Sequence, residues 1–82
     1  MRWRQEVETK LELLLTAVAE ALVLTREQVS AADTFLDLGG DSLAALYVCE
    51  TLEGKGFTLE AIDLFGDDEL ERVAIGIKPS AG

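Results

Sequence analysis

The stretch FLDLGGDSLAALYVCETL, at residues 35–52, contains the clearest turn and helix-start signals of the chain. Its glycine pair, Gly39–Gly40, permits a tight turn with positive φ angles, which glycine adopts without a steric penalty. Asp41 follows this turn and is a favoured N-cap residue, so Ser42 becomes the first residue of a helix. The pattern therefore predicts a turn that leads into a helix from Ser42 to about Glu53.

The predicted helix carries apolar residues on more than one side. One face is formed by Ala45, Val48, Cys49 and Leu52. A second set lies largely outside that face and comprises Leu43, Leu46, Tyr47, Glu50 and Glu53. A helix in a small domain cannot easily bury both sides, so the apolar members of the second set either pack under a loop or form an exposed patch for a partner. The partner interpretation is favoured because Ser42 begins the same helix.

Upstream of this stretch, apolar residues recur at spacings of three and four, as on one face of an α-helix of about 18 residues. They are Trp3, Val7, Leu11, Leu14, Leu15, Val18 and Leu22. The periodicity stops between residues 25 and 40, where the spacing of Thr25 and Gln28 predicts a short helical turn. A loop this long in a small domain needs an anchor or a function, and Phe35 is the best candidate for an anchor in the core.

Downstream of the stretch, apolar residues between Leu59 and Phe65 predict a short third helix or turn. Asp67 or Asp68 can cap a last helix, which Pro79 would terminate. The predicted fold is therefore all-α, with three main helices plus one or two short ones. The chain is expected to form one domain at residues 1–78, followed by a short disordered tail at residues 79–82.

The composition narrows the possible functions. Seven basic residues stand against sixteen acidic ones, giving a formal net charge of −9. This charge disfavours nucleic acid and anionic membranes as partners and favours basic patches on other proteins. One cysteine and no histidine argue against a zinc site and against general-base catalysis by the chain itself. No secretory signal or membrane-spanning run is visible, so a cytoplasmic location is expected.

Ser42 has two interpretations when it is considered by itself. A serine at a helix start after glycines often only caps the helix. It is not the nucleophile of a hydrolase, because the Gly-x-Ser-x-Gly pattern is absent and no histidine could activate the hydroxyl. A modified serine is also physically coherent, since a phosphodiester at this position would lie near free backbone N–H groups and the positive end of the helix dipole.

A family resemblance decides between these interpretations. Residues 35–52 resemble the phosphopantetheine attachment region of carrier proteins, with Leu-Gly-Gly-Asp-Ser-Leu at residues 38–43 as the specific part. The similarity extends over nearly the whole chain and implies a small four-helix bundle of the acyl-carrier-protein type. It implies that Ser42, beside Gly40 and Asp41, carries a covalent 4′-phosphopantetheine arm derived from coenzyme A. It also implies a main docking surface, here named the docking face, made of Leu43, Leu46, Tyr47, Glu50 and Glu53.

The double glycine resembles peptidyl or aryl carriers of nonribosomal peptide synthesis more than fatty-acid carriers. The resemblance implies a monomeric, non-catalytic carrier that a phosphopantetheinyl transferase modifies with coenzyme A and Mg²⁺. An adenylation enzyme or domain would then load an amino acid or aryl acid as a thioester, for delivery to condensation or tailoring enzymes that make products such as antibiotics. Because the chain starts at Met1 with almost no linker, it is expected to be freestanding, although an expression fragment could look the same.

Three alternatives remain open at this stage. Many peptidyl carriers have His where this chain has Asp41, and Pro-Thr where it has Asp68–Glu69, so a polyketide, fatty-acyl or D-alanine carrier is a competing subclass. A helical adaptor that never bears a prosthetic group is a second alternative. Cys49 as the functional thiol is a third, which is disfavoured because Cys49 lies on the apolar face of its helix.

Overall fold

Three α-helices dominate the computed structural model, which describes residues 2–80, with side chains described from residue 8. The helices are α1 (Arg2–Ala21), α2 (Ser42–Gly54) and α3 (Leu70–Ile75). Two short 3-10 helices lie at Arg26–Gln28 and Ala61–Phe65, and two-residue strands at β1 (Phe57–Thr58) and β2 (Lys78–Pro79). The predicted arrangement of three helices and short helical turns is therefore confirmed, and α2 extends one residue beyond the predicted Glu53.

The core forms where α2 and α3 both pack against α1. From α1 it receives Leu14, Leu15 and Val18, as the helical stripe predicts. The apolar face of α2 contributes Ala45, Val48 and Leu52, whereas Cys49 is only half-buried at the edge of the core. Trp3 and Val7, the first two members of the predicted stripe, lie outside the described side chains.

Helix α1 ends in a Schellman motif. The Leu24 amide donates to the Ala19 carbonyl at 2.8 Å, and the Val23 amide donates to the Glu20 carbonyl at 3.3 Å. The residue between the last helical turn and Leu24 must adopt a left-handed conformation in this motif, and glycine is usual there. Here that residue is Val23, with φ at 57°.

The long loop between α1 and α2 is anchored at several points. The predicted helical turn is present at Arg26–Gln28, and the Thr25 amide donates to Gln28 Oε1 at 2.8 Å. Phe35 is only 1% exposed and meets Phe65 edge to face, with ring centroids 5.8 Å apart. The predicted anchor is thus confirmed, and the loop is held in place by the core.

An ion pair at the surface also ties this loop to α1. Arg26 Nε donates to Glu12 Oε2 at 2.7 Å, and Arg26 Nη2 donates to Glu12 Oε1 at 2.9 Å. The hydrogen bond from Arg26 lowers the pKa of the Glu12 carboxyl below its ordinary value. Because both side chains remain solvent-exposed, the pair contributes at most about 1 kcal/mol to stability.

The start of α3 differs from the prediction. Neither Asp67 nor Asp68 caps the helix; Glu69 is the N-cap residue, and its side chain forms no capping bond. Backbone groups of the loop take this role instead. The Leu70 amide donates to the Asp33 carbonyl at 2.9 Å, and the Glu71 amide donates to the Ala31 carbonyl at 3.0 Å. The first N–H groups of a helix need acceptors, and here a segment distant in sequence supplies them.

The end of the chain is also more ordered than predicted. Helix α3 stops at Ile75 with Gly76 as its C-cap, before Pro79 is reached. Pro79 pairs with Phe57 in an antiparallel ladder, and the Ser80 amide donates to the Gly56 carbonyl at 2.9 Å. The disordered tail predicted for residues 79–82 is therefore wrong for its first two residues, and the last two lie outside the described part of the chain. No helix within residues 2–80 is long and apolar enough to cross a membrane.

Candidate functional site

The turn before α2 uses its two glycines for different reasons. Gly39 has φ at 95°, a left-handed conformation that favours glycine. Gly40 does not have a positive φ, so the prediction of positive angles at both glycines is wrong at this position. A β-carbon on Gly40 would instead collide with the ring of Phe35, 2.5 Å from Cζ and closer to two other ring atoms. The ring that anchors the loop therefore also fixes the turn that precedes Ser42.

Asp41, and not Ser42, caps the helix. Asp41 Oδ1 accepts a hydrogen bond from the Ala44 amide at 2.9 Å, and the Asp41 carbonyl accepts one from the Ala45 amide at 2.9 Å. Ser42 is the first helical residue and is exposed. No hydrogen-bond partner of Ser42 Oγ is found among residues 8–80. The capping interpretation of Ser42 is thereby removed, because the neighbouring carboxylate already performs that role.

The surroundings of Ser42 fit a phosphodiester. The backbone amides of Ser42 and Leu43 have no backbone acceptor in the described part of the chain, since they are the first amides of α2. These N–H groups and the positive end of the helix dipole favour a negative group at Ser42 Oγ. The residues present are therefore compatible with a phosphate-linked prosthetic group on an exposed hydroxyl.

The apolar members of the docking face lie in solvent. Leu43 is 76% exposed, Leu46 52% and Tyr47 46%, and both Glu50 and Glu53 are exposed as well. The possibility that these side chains pack under a loop is thus wrong, and the prediction of an exposed patch is confirmed. Its role in binding partners stays a prediction.

Cys49 is poorly suited to serve as a reactive thiol. It is half-buried on α2, and burial, together with the negative charges of Glu60, Glu53 and Asp63, raises the pKa of its thiol. A raised pKa lowers the thiolate fraction at neutral pH, and the thiolate is the reactive form. Within the described residues no cluster of histidine, cysteine or acidic side chains could hold a metal ion.

One exposed residue near the site was given no role by the sequence analysis. Val23 is 92% exposed and shares a surface depression with Leu43 and Tyr47. The signal in the sequence was weak, because a valine one residue beyond a helix stripe gives no sign of a left-handed conformation.

The sequence profile of the phosphopantetheine attachment site family matches residues 12–75. The chain is 38% identical over 74 residues to tyrocidine synthase 2 of Brevibacillus parabrevis, covering 90% of this chain and 2% of that protein. It is 37% identical over 68 residues to nonribosomal peptide synthetase gloA of Glarea lozoyensis, covering 82% of this chain and 1% of the relative. The chain thus spans only a small part of the curated relatives that it matches.

A solved structure described as a non ribosomal PCP domain is similar to this fold. Its TM-score is 0.75 at 27% sequence identity, and the superposition covers 88% of this chain and 92% of that one. The matched profile includes both the Ser42 turn and the core helices. The chain therefore belongs to the phosphopantetheine attachment site family, whose members are non-catalytic carrier domains that hold 4′-phosphopantetheine covalently.

Proposed function

We propose that Ser42 Oγ is the attachment point of 4′-phosphopantetheine and that the chain carries aminoacyl or aryl groups as thioesters in nonribosomal peptide synthesis. The observation that carries this proposal is the division of roles at the start of α2. Asp41 accepts the hydrogen bond from the Ala44 amide, so the Ser42 hydroxyl is not needed as a cap. That hydroxyl is exposed and lies beside the amides of Ser42 and Leu43, which have no backbone acceptor in the described part of the chain. The family membership identifies the prosthetic group, and the synthetase relatives support the biosynthetic class.

Ser42 acts as a substrate in the attachment step. Its hydroxyl loses a proton and forms a bond to the phosphorus of coenzyme A that bears the pantetheine, while the P–O bond to the nucleotide breaks and adenosine 3′,5′-bisphosphate leaves. A phosphopantetheinyl transferase with Mg²⁺ supplies the catalysis. The first amides of α2 and the helix dipole stabilise the charge that the phosphodiester adds.

The carrier then contributes position and not chemistry. When attached, the arm would supply the distal thiol on which an adenylation enzyme would load the cargo as a thioester, and condensation or tailoring enzymes would receive it. Because the cargo is tethered, each delivery to a docked partner becomes effectively intramolecular. Docking has to be transient, which suits the small, mixed apolar and acidic docking face better than a large apolar surface.

Intact mass measurement tests the attachment. The purified chain is incubated with coenzyme A, Mg²⁺ and a broad-specificity transferase, and it should gain the mass of one phosphopantetheine group. Ser42→Ala should gain nothing and keep its helical circular dichroism. Ser30→Ala is the control, because Ser30 is another exposed serine, in the loop that precedes α2, and its removal should leave the mass gain unchanged. An unmodified wild type, under conditions that modify a known carrier, would support the adaptor alternative.

Loading assays separate the carrier subclasses. The arm-bearing protein is offered to purified adenylation enzymes with amino acids or aryl acids, to acyltransferases with acyl-coenzyme A, and to a D-alanine ligase. Thioester formation by adenylation enzymes supports the proposal. Loading by acyltransferases or the D-alanine ligase alone would reject nonribosomal peptide synthesis and leave the attachment site intact.

The docking face has its own test. Leu46→Ala or Tyr47→Ala should slow loading or transfer by a partner while changing stability little, because both side chains are about half exposed. Ile75→Ala removes another exposed apolar side chain, on α3, and should leave turnover unchanged. Unfolding of either docking variant would show that these side chains support the core instead.

Four further features stay predictions. The freestanding state and the monomeric state are tested by the native mass of the protein in cells that produce it. The cytoplasmic location is tested by fractionating the same cells. Limited proteolysis with mass spectrometry of the fragments tests the proposed domain limits.

A further inference from the structure

Val23 combines two unfavourable properties at one position. Its backbone has φ at 57° in the left-handed region, where a β-branched side chain is sterically strained. Its side chain is 92% exposed, so burial in the core does not offset that strain. The Schellman motif at the end of α1 requires this conformation but not a valine, because glycine adopts it without strain. A strained residue that neither the motif nor the core requires points to a functional position. Val23 is therefore a candidate contact residue.

The side chain of Val23 lines an open depression of about 450 Å³ between the end of α1 and the start of α2. Leu43 and Tyr47 supply further apolar surface, while Glu20 and Asp41 supply acidic groups. In the described part of the chain, the lining contains no basic side chain. The depression thus offers an apolar floor within an acidic border.

The position of this depression limits what can cover it. Asp41 and Leu43 are the immediate neighbours of Ser42, so an enzyme whose active site reaches Ser42 Oγ has its surface against them. Enzymes that act on the thiol, at the far end of the flexible arm, have no such requirement. The occupant favoured by the geometry is therefore the enzyme that attaches the arm.

We propose that this depression is a docking site for the phosphopantetheinyl transferase, and that it receives an apolar side chain from a basic surface of that enzyme. The apolar part of the contact involves Val23 and Leu43, and the acidic border attracts the basic surface. This inference rests on the proposed attachment at Ser42. It adds the end of α1 to a docking surface that the sequence analysis confined to α2.

Steady-state kinetics of a broad-specificity transferase, with the unmodified carrier as the varied substrate, test the apolar contact. Val23→Thr keeps the branching and the backbone strain but replaces one methyl group with a hydroxyl. It should raise KM about three- to fivefold, the factor expected from one methyl group buried in an interface. The kcat value should not change, because the contact forms equally in the ground and transition states. Ile75→Thr, on α3, should leave both constants unchanged.

A second variant separates docking from folding. Val23→Gly relieves the strain, so it should raise the unfolding midpoint of the carrier while still raising KM for the transferase. A residue with only a structural role would not produce these opposite effects. Because the glycine variant is expected to fold more stably than wild type, a loss of docking cannot be attributed to unfolding.

Two single variants, each of which neutralises one carboxylate, test the acidic border. Glu20→Gln should raise KM and weaken its dependence on salt, since exposed charges act through a screened field. Glu71 is an exposed acidic residue on α3, and Glu71→Gln should change KM and its salt dependence much less. A wild-type KM for Val23→Thr and Val23→Gly would overturn this inference while leaving Ser42 attachment in place. Failure of the wild-type chain to be modified at all would instead overturn the proposed function, and this inference with it.

Discussion

Gly40→Ala should destabilise the domain more than its small size suggests. Gly40 does not have a positive φ, so alanine is compatible with the backbone and the cost comes from packing. The new β-carbon would lie 2.5 Å from Phe35 Cζ, whereas carbon atoms pack at about 3.5–4.0 Å. Phe35 is fully buried and has Phe65 against its ring, so it has little room to retreat.

The size of the effect can be bounded from both sides. Overpacking a core usually costs about 1–3 kcal/mol. If the ring is expelled from the core, the cost approaches the roughly 3–5 kcal/mol of removing a buried phenylalanine. We therefore expect about 3 kcal/mol, a large fraction of the roughly 4–12 kcal/mol typical of a domain of this length. Urea unfolding followed by far-ultraviolet circular dichroism measures this loss.

Two comparisons isolate the cause. Gly54→Ala places a methyl group in open space within α2 and should be neutral or stabilise by up to about 1 kcal/mol. Phe35→Leu in the Gly40→Ala background should restore part of the lost stability, giving a coupling of at least about 1 kcal/mol in a double-mutant cycle. Stability of Gly40→Ala within about 0.5 kcal/mol of wild type, or strict additivity with Phe35→Leu, would refute the clash.

Three other perturbations give independent checks. Val23→Gly should stabilise by roughly 0.5–1 kcal/mol, because relief of about 1–2 kcal/mol of strain exceeds the entropy cost of glycine; a lower urea midpoint would contradict this. Asp41→Ala should lower the free energy of unfolding by about 1 kcal/mol, because it removes the N-cap of α2. Asp41→Asn should keep most of the wild-type stability, because asparagine is also a good N-cap; equal stability of the two variants would argue against the capping bond. Cys49 should react with iodoacetamide more slowly than a free thiol at neutral pH, and its rate should rise with pH and level off only above the raised pKa, since the thiolate is the nucleophile. Rapid labelling of the unmodified protein at neutral pH, measured by mass, would show that this thiol is accessible and ionised.

The sequence predicted those features that depend on local patterns. The α1 stripe, the Asp41 cap and the exposure of Leu43 follow from helical periodicity and N-cap preferences, which act over a few residues. Gly40 could not be explained in this way, because its reason is contact with Phe35 across the turn. The start of α3 was mispredicted for a similar cause, since backbone carbonyls, which carry no sequence signature, supply its acceptors.

In the candidate site, too, local patterns could be predicted and contacts between distant parts of the chain could not. Ser42 was identified through a motif that is contiguous in the chain. Val23 was missed because its backbone conformation is imposed by the Schellman motif, and its proximity to Leu43 depends on how α1 and α2 pack together. Pro79 was placed in a tail because its pairing partner, Phe57, lies 22 positions earlier, and a two-residue ladder leaves no alternation to recognise.

The hydrogen bonds from the Leu70 and Glu71 amides to the loop between α1 and α2 affect the order in which the newly made chain folds. A six-residue helix is too short to persist alone, so α3 has to form together with the carbonyls of Ala31 and Asp33. During synthesis α1 and α2 leave the ribosome before α3, so the segment that leads to Ser42 is fastened only after α3 has been made. The hydroxyl is thus presented on its finished support only once residues 70–75 have emerged and paired with the loop.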